Sequence, residues 1–128
     1  MKARTLIMAT VTLVAFAIAA AAGNETRFEA RLTGWGKGKA VYKVKKEDSG
    51  LQSELQVEGE DLAPNTNYLV FIGKDNVWPT RTNAFGAFAV REASRNSEGL
   101  PVAAGTVVNV NDTTGNTVLT GTFAQVTR

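Results

Sequence analysis

The chain has 128 residues, a formal net charge of +2, and neither cysteine nor histidine. That length admits one domain, or one domain behind a targeting segment. The missing residues exclude thiolate nucleophiles, disulfides, Ser-His and Cys-His catalytic pairs, and histidine-ligated zinc.

Residues 1–23 read as a secretory signal peptide. Lys2 and Arg4 form a positive start, Leu6 to Ala22 is uncharged, and Ala20-Ala21-Ala22-Gly23 supplies the small residues a signal peptidase needs. Cleavage there leaves a domain over 24–128, secreted or periplasmic, with no stable membrane insertion. No cysteine follows the apolar run, which excludes lipid attachment at that point. The lack of disulfides fits a bacterial exported protein. Lys2 and Arg4 leave with the signal, so 12 basic residues face 12 acidic ones. A near-neutral domain gives no support for a nucleic-acid partner.

Period-two alternation runs through the rest of the chain. Phe28, Ala30 and Leu32 alternate with Arg27, Glu29 and Arg31, giving a strand with one wet face. A glycine-rich corner follows at Gly34-Trp35-Gly36-Lys37-Gly38. Ala40, Tyr42 and Val44 then alternate with Lys39, Val41, Lys43 and Lys45, and Glu47-Asp48-Ser49-Gly50 reads as a turn. Leu51, Ser53, Leu55 and Val57 form the next alternating set. Pairing Lys46 with Leu51 sets the hairpin register. Tyr42 then faces Leu55 and Ala40 faces Val57 on the core side, while Lys43 faces Glu54 and Lys39 faces Glu58 on the wet side.

The run Leu62-Ala63-Pro64-Asn65-Thr66-Asn67-Tyr68-Leu69-Val70 resembles the tyrosine corner of fibronectin type III domains. There the Tyr hydroxyl bonds back to the loop backbone. The likeness is confined to this run and is read as a local solution to a sandwich crossover. Tyr68, Val70 and Ile72 form a strand, with Phe71 out of phase on either a second buried face or an exposed patch. A turn at Gly73–Asn76 leads to a strand from Val77 to Thr82. Pro79 assigns that strand to an edge or bulge, because Pro cannot donate to a ladder. Asn83-Ala84-Phe85-Gly86 is a turn, and Ala87 to Glu92 another strand. Residues 93–105 form the longest loop. Val107 to Val110 is a strand, Asn111 to Gly115 a turn, and Asn116 to Val126 the last strand, with Leu119 and Phe123 facing inward. The sum is an all-β domain, a single antiparallel β-sandwich of about eight short strands.

The order of these pieces, Leu32–Gly34, Gly38–Tyr42, Leu55–Val57, Leu62–Val70, Asn83–Gly86, Gly105–Val110 and Leu119–Phe123, resembles small exported bacterial all-β proteins that carry no assigned activity. The resemblance implies fold and export and carries over no catalytic or binding residue.

Several clusters invite chemistry. Gly34-x-Gly36-x-Gly38 lacks the following helix that a phosphate loop needs and reads as a β-corner. Lys37, Lys39, Lys43 and Lys45 share a strand face. They form either an anion site for an acidic glycan or similar polymer, or a solvated face neutralised by Glu54, Glu58 and Glu60. Trp35 and Trp78 are candidates for sugar stacking, or for plugging the ends of the sandwich. Asn109, Asn111, Asp112, Thr113 and Thr114 are oxygen-rich, but one carboxylate is poor provision for calcium. Asp75 with Asn76 is weaker still. Asn24-Glu25-Thr26 and Asn111-Asp112-Thr113 match the N-glycosylation sequon, relevant only on a eukaryotic secretory route. No S-x-x-K spacing or facing carboxylate pair suggests an enzyme. The expectation is a non-enzymatic structural or interaction domain of the cell envelope or medium. It needs no cofactor or metal, and its partner is a protein or a glycan. The alternative is a carbohydrate-binding module.

Overall fold

A computed structural model of the chain describes residues 25–47, 50–94 and 102–126. The expected signal segment 1–23 lies outside the described residues, as do the Asp48-Ser49 apex of one turn and residues 95–101 of the longest loop. The described residues form nine strands. They are β1 (Glu25–Gly34), β2 (Lys37–Glu47), β3 (Gly50–Glu60), β4 (Asn67–Ile72), β5 (Asn76–Arg81), β6 (Phe88–Ser94), β7 (Val107–Asp112), β8 (Thr117–Thr122) and β9 (Ala124–Val126).

All the strands belong to one antiparallel sheet in the order β5-β4-β7-β8-β1-β2-β3-β6, with β9 on β1. The two layers expected of a sandwich are thus halves of a continuous sheet. The sheet curls until its edge strands β5 and β6 approach each other, and the result is a nearly closed barrel. Curling hides most of the unpaired strand edge that an open sheet would expose.

The β2–β3 hairpin has the register its charges dictate. Lys46 pairs with Leu51, Tyr42 with Leu55, Ala40 with Val57, Lys43 with Glu54 and Lys39 with Glu58. One face of most strands fills the interior. Leu32, Ala40, Leu55, Val57, Val70, Val108, Val110 and Leu119 are fully buried there, with Phe28, Tyr42 and Tyr68 nearly so. The rings of Phe28 and Tyr42 lie 6.4 Å apart. Side chains, not solvent, fill a barrel of this size. Pro79 lies on β5, at one end of the strand order, where its missing donor costs no ladder bond.

The last strand differs from expectation in two places. Val110 pairs with Leu119 and Asn111 with Thr117, so Val118 is an extra residue in a β-bulge. The bulge turns both Val118 and Leu119 inward, and both are buried. The second break is at Phe123. It turns into the core, and its backbone bonds Thr106 and Gly105 at 2.9 and 2.8 Å. The chain then resumes as β9 against β1.

The corner from Leu62 to Val70 is fastened through Thr82. This buried hydroxyl donates to the Ala63 carbonyl at 2.6 Å and accepts from the Thr66 amide at 2.9 Å.

Candidate functional site

Every neighbouring pair is antiparallel, so successive strands alternate in direction, and the β1–β2, β3–β4, β5–β6 and β7–β8 connections fall at the same end of the barrel. Barrel mouths are frequent ligand sites because several loops converge there. At this end two large aromatic side chains stand in solvent. Trp35 in the β1–β2 turn is 68% exposed, and Phe85 in the β5–β6 turn is 88% exposed.

Both rings are carried on fixed backbone. The Trp35 amide donates to the Val118 carbonyl at 2.8 Å, a group that the bulge in β8 turns toward it. Gly34 makes that approach possible. Its φ is +154°, and a Cβ there would run into the Val118 oxygen. In the other turn the Asn83 side chain accepts from the Phe85 amide at 2.8 Å and the Ala87 amide at 3.0 Å. Asn83 and Ala87 also pair through their backbones, and Gly86 bonds back to Asn83. Gly86 adopts φ +81°, and a Cβ there would strike the Leu62 carbonyl. The segment 60–62 joins the two turns. Glu60 and Asp61 ion-pair with Lys37 at 3.6 and 3.9 Å, and the Leu62 amide donates to Gly86 O at 3.1 Å.

Below the turns, on the outer face of β1, β2, β3 and β6, an open cleft of about 870 Å³ is lined by Arg31, Lys37, Lys39, Glu58, Glu60 and Arg81, among others. Arg31 lies directly opposite Lys39 in the β1–β2 register, and Arg27 directly opposite Lys43. The two like-charge pairs have different surroundings. Arg27 bonds Glu29 at 2.7 Å and Lys43 pairs with Glu54 at 3.7 Å. No ion pair reaches Arg31 or Lys39 among the described residues. Glu58 is in register with Lys39 but accepts a hydrogen bond from Gln56 instead.

The four lysines singled out in the sequence therefore separate. Lys37 and Lys39 line the cleft. Lys43 is held by Glu54, and Lys45 lies beyond it opposite Glu25. The two tryptophans separate as well. Trp78 is half-buried against the core, and its Nε1 donates to Glu92 at 3.2 Å. Phe71 is half-buried, in register with Val77 on β5 and Asn109 on β7.

The oxygen-rich turn is occupied by its own contacts. Asp112 Oδ1 accepts from the Thr114 hydroxyl at 2.8 Å, the Asn116 amide at 2.9 Å and the Thr114 amide at 3.0 Å. These bonds hold its carboxyl below the ordinary aspartate range, the Thr114 hydroxyl first among them. Asn111 and Asn109 accept from Thr117 and Thr120 across the ladder at 2.8 and 2.6 Å. Among the described residues no group of three or more acidic side chains is placed to hold a metal.

Phe85, Arg31 and Arg81 were not singled out in the sequence. Phe85 carried a signal, a large apolar residue at the centre of a four-residue turn, where no core is within reach. Arg31 and Arg81 are far apart in sequence and meet only through the barrel. Compared with known proteins, the chain matches no family model and no curated protein sequence.

Proposed function

We propose that the protein is an exported, non-enzymatic interaction domain of the cell envelope or extracellular medium, and that it binds through the barrel end bearing Trp35 and Phe85. Export rests on residues 1–23 and on the resemblance to small exported bacterial all-β proteins. The observation that carries the binding reading is the pair of exposed rings on hydrogen-bonded turns. Exposing a large apolar ring forgoes about 1.5–3 kcal/mol of burial. Held on rigid backbone, it loses little further freedom when a ligand covers it.

The exposure of Trp35 favours a glycan as ligand, because an indole face stacks on the apolar face of a sugar ring. Trp78, turned into the seam of the barrel, takes no part in this reading. The test is titration of the purified protein with neutral and acidic polysaccharides, followed by tryptophan emission. A saturable blue shift is the expected result, with calorimetric affinity for the same glycan lost in Trp35→Ala. No shift with any glycan removes the glycan reading. Unchanged binding in a Trp35→Ala, Phe85→Ala protein removes the loop end.

A further inference from the structure

We propose that the cleft beside the loop end holds the acidic group of an anionic polysaccharide, with Arg31 and Lys39 as its principal contacts and Lys37 and Arg81 at its margin. The inference rests on the glycan reading of the loop end and adds the chemical class of the sugar.

The argument begins with a cost that folding does not explain. Like charges directly opposite on neighbouring strands are destabilising. The β1–β2 pair contains two such oppositions, and carboxylates relieve one of them at both members. The other, Arg31 with Lys39, has no ion pair among the described residues, although Glu58 lies in register with Lys39. The unrelieved pair is the one that lines the cleft. An anion seated between the two side chains would relieve both.

Other groups in the cleft narrow the ligand. Glu58 and Glu60 sit beside the cations. Carboxylates accept hydrogen bonds from sugar hydroxyls, and they repel a continuous phosphate backbone. After residue 23 the basic and acidic residues balance, and carboxylates hold Arg27 and Lys43 of the basic face on β1 and β2, which leaves little for a nucleic acid to follow. Isolated acid groups on a hydroxyl-rich chain, with ring faces within reach of Trp35, fit this mixture. Carboxylate and sulfate share the required chemistry.

The experiment is calorimetric titration of the purified protein with polygalacturonate, dextran sulfate and unmodified dextran. Binding to one or both acidic polymers and not to dextran is expected, and it weakens as salt approaches ~1 M, where screening is nearly complete. The double variant Arg31→Gln, Lys39→Gln raises Kd about tenfold or more. Lys45→Gln, on the same strand but outside the cleft, leaves Kd unchanged. A denaturation curve of the double variant shows it folded. Which acidic polymer binds separates carboxylate from sulfate. Equal affinity for dextran, or a Kd insensitive to the double variant, overturns the inference. If Trp35→Ala still abolishes binding in that case, the loop-end reading stands. Loss in the cleft variant with none in Trp35→Ala, Phe85→Ala has the opposite meaning. No binding to any of the three polymers overturns the anionic assignment.

Discussion

The indole Nε1 of Trp78 on β5 donates to the carboxylate of Glu92 on β6 at 3.2 Å. These are the two end strands of the sheet, so the bond crosses the seam where the barrel lacks a ladder. Trp78 also packs its ring on the core beneath, opposite Val70 in the β4–β5 register. Trp78→Phe keeps a ring and loses the bond, an expected loss of about 0.5–1 kcal/mol. Trp78→Ala opens the seam as well, and roughly 2–3 kcal/mol is expected for a half-buried ring. Urea denaturation of both variants checks the order. Equal losses would mean that the seam is not held by packing.

Thr82 is one of the few buried polar side chains among the described residues, and its hydroxyl serves backbone groups of the β3–β4 corner. Thr82→Val keeps the shape and orphans the Ala63 carbonyl and the Thr66 amide. A loss of about 1–3 kcal/mol is expected. Thr82→Ser restores the hydroxyl and should recover most of it. Failure of serine to do so would put the role of Thr82 in its methyl group.

Much of this frame was legible because charge and alternation agree. In the β2–β3 hairpin a slip of one residue would bury Lys39 and Lys43, so the sequence tolerates a single register. Pro79, by its missing amide, marked an edge or a bulge, and β5 is an end strand. The closure of one sheet on itself was not legible, since alternation says which face is wet and not which strands are neighbours. The bulge at Val118 was hidden for a related reason. Two adjacent apolar residues break the period only if the partner strand is known. The candidate site was legible in part. Lys37, Lys39 and Trp35 were visible as residue types. What joins them to Arg31, Arg81 and Phe85 is the way the turns collect at one end of the barrel.

Phe85 and Gly86 are neighbours with opposite expected sensitivities. The Phe85 ring packs on little, so Phe85→Ser should stay within about 0.5 kcal/mol of the parent. Gly86→Ala places a methyl against the Leu62 carbonyl in a left-handed backbone. A loss of about 1–3 kcal/mol is expected, with the presentation of Phe85 lost too. Thermal melts of the two proteins decide it. A large drop in Phe85→Ser would show that the ring is structural and weaken its assignment as a contact.

Acid should destabilise the fold through two identified carboxylates. The hydrogen bond from Arg91 is the main cause that holds Glu54 below its ordinary value of 4.5, and Lys43 assists. Asp112 is held below 3.8 by the Thr114 hydroxyl and the Asn116 amide. Both values are depressed in the folded state, so in this range the unfolded chain binds more protons. The stability they contribute is complete above those ordinary values and is lost as pH falls through the folded ones. Denaturation midpoints should be insensitive to these two groups above about pH 5 and fall below it. Glu54→Gln and Asp112→Asn should each flatten the acid limb. An unchanged limb in both would place the acid sensitivity elsewhere.

Arg31→Glu separates what the fold prefers from what the cleft is proposed to do. The substitution turns the unrelieved opposition with Lys39 into an ion pair across β1 and β2. At low salt it should stabilise the protein by about 0.2–1 kcal/mol, a gain that fades as salt screens it. The same change puts a carboxylate where the acidic sugar would sit, so binding should be lost while stability rises. Opposite movements of this kind are expected where a binding site retains a locally unfavourable arrangement. The comparison needs denaturation and titration on one preparation, at two salt concentrations. A protein that is less stable at low salt would show that Arg31 has a structural partner, and the case for an unfilled anion site between Arg31 and Lys39 would then lose its first premise.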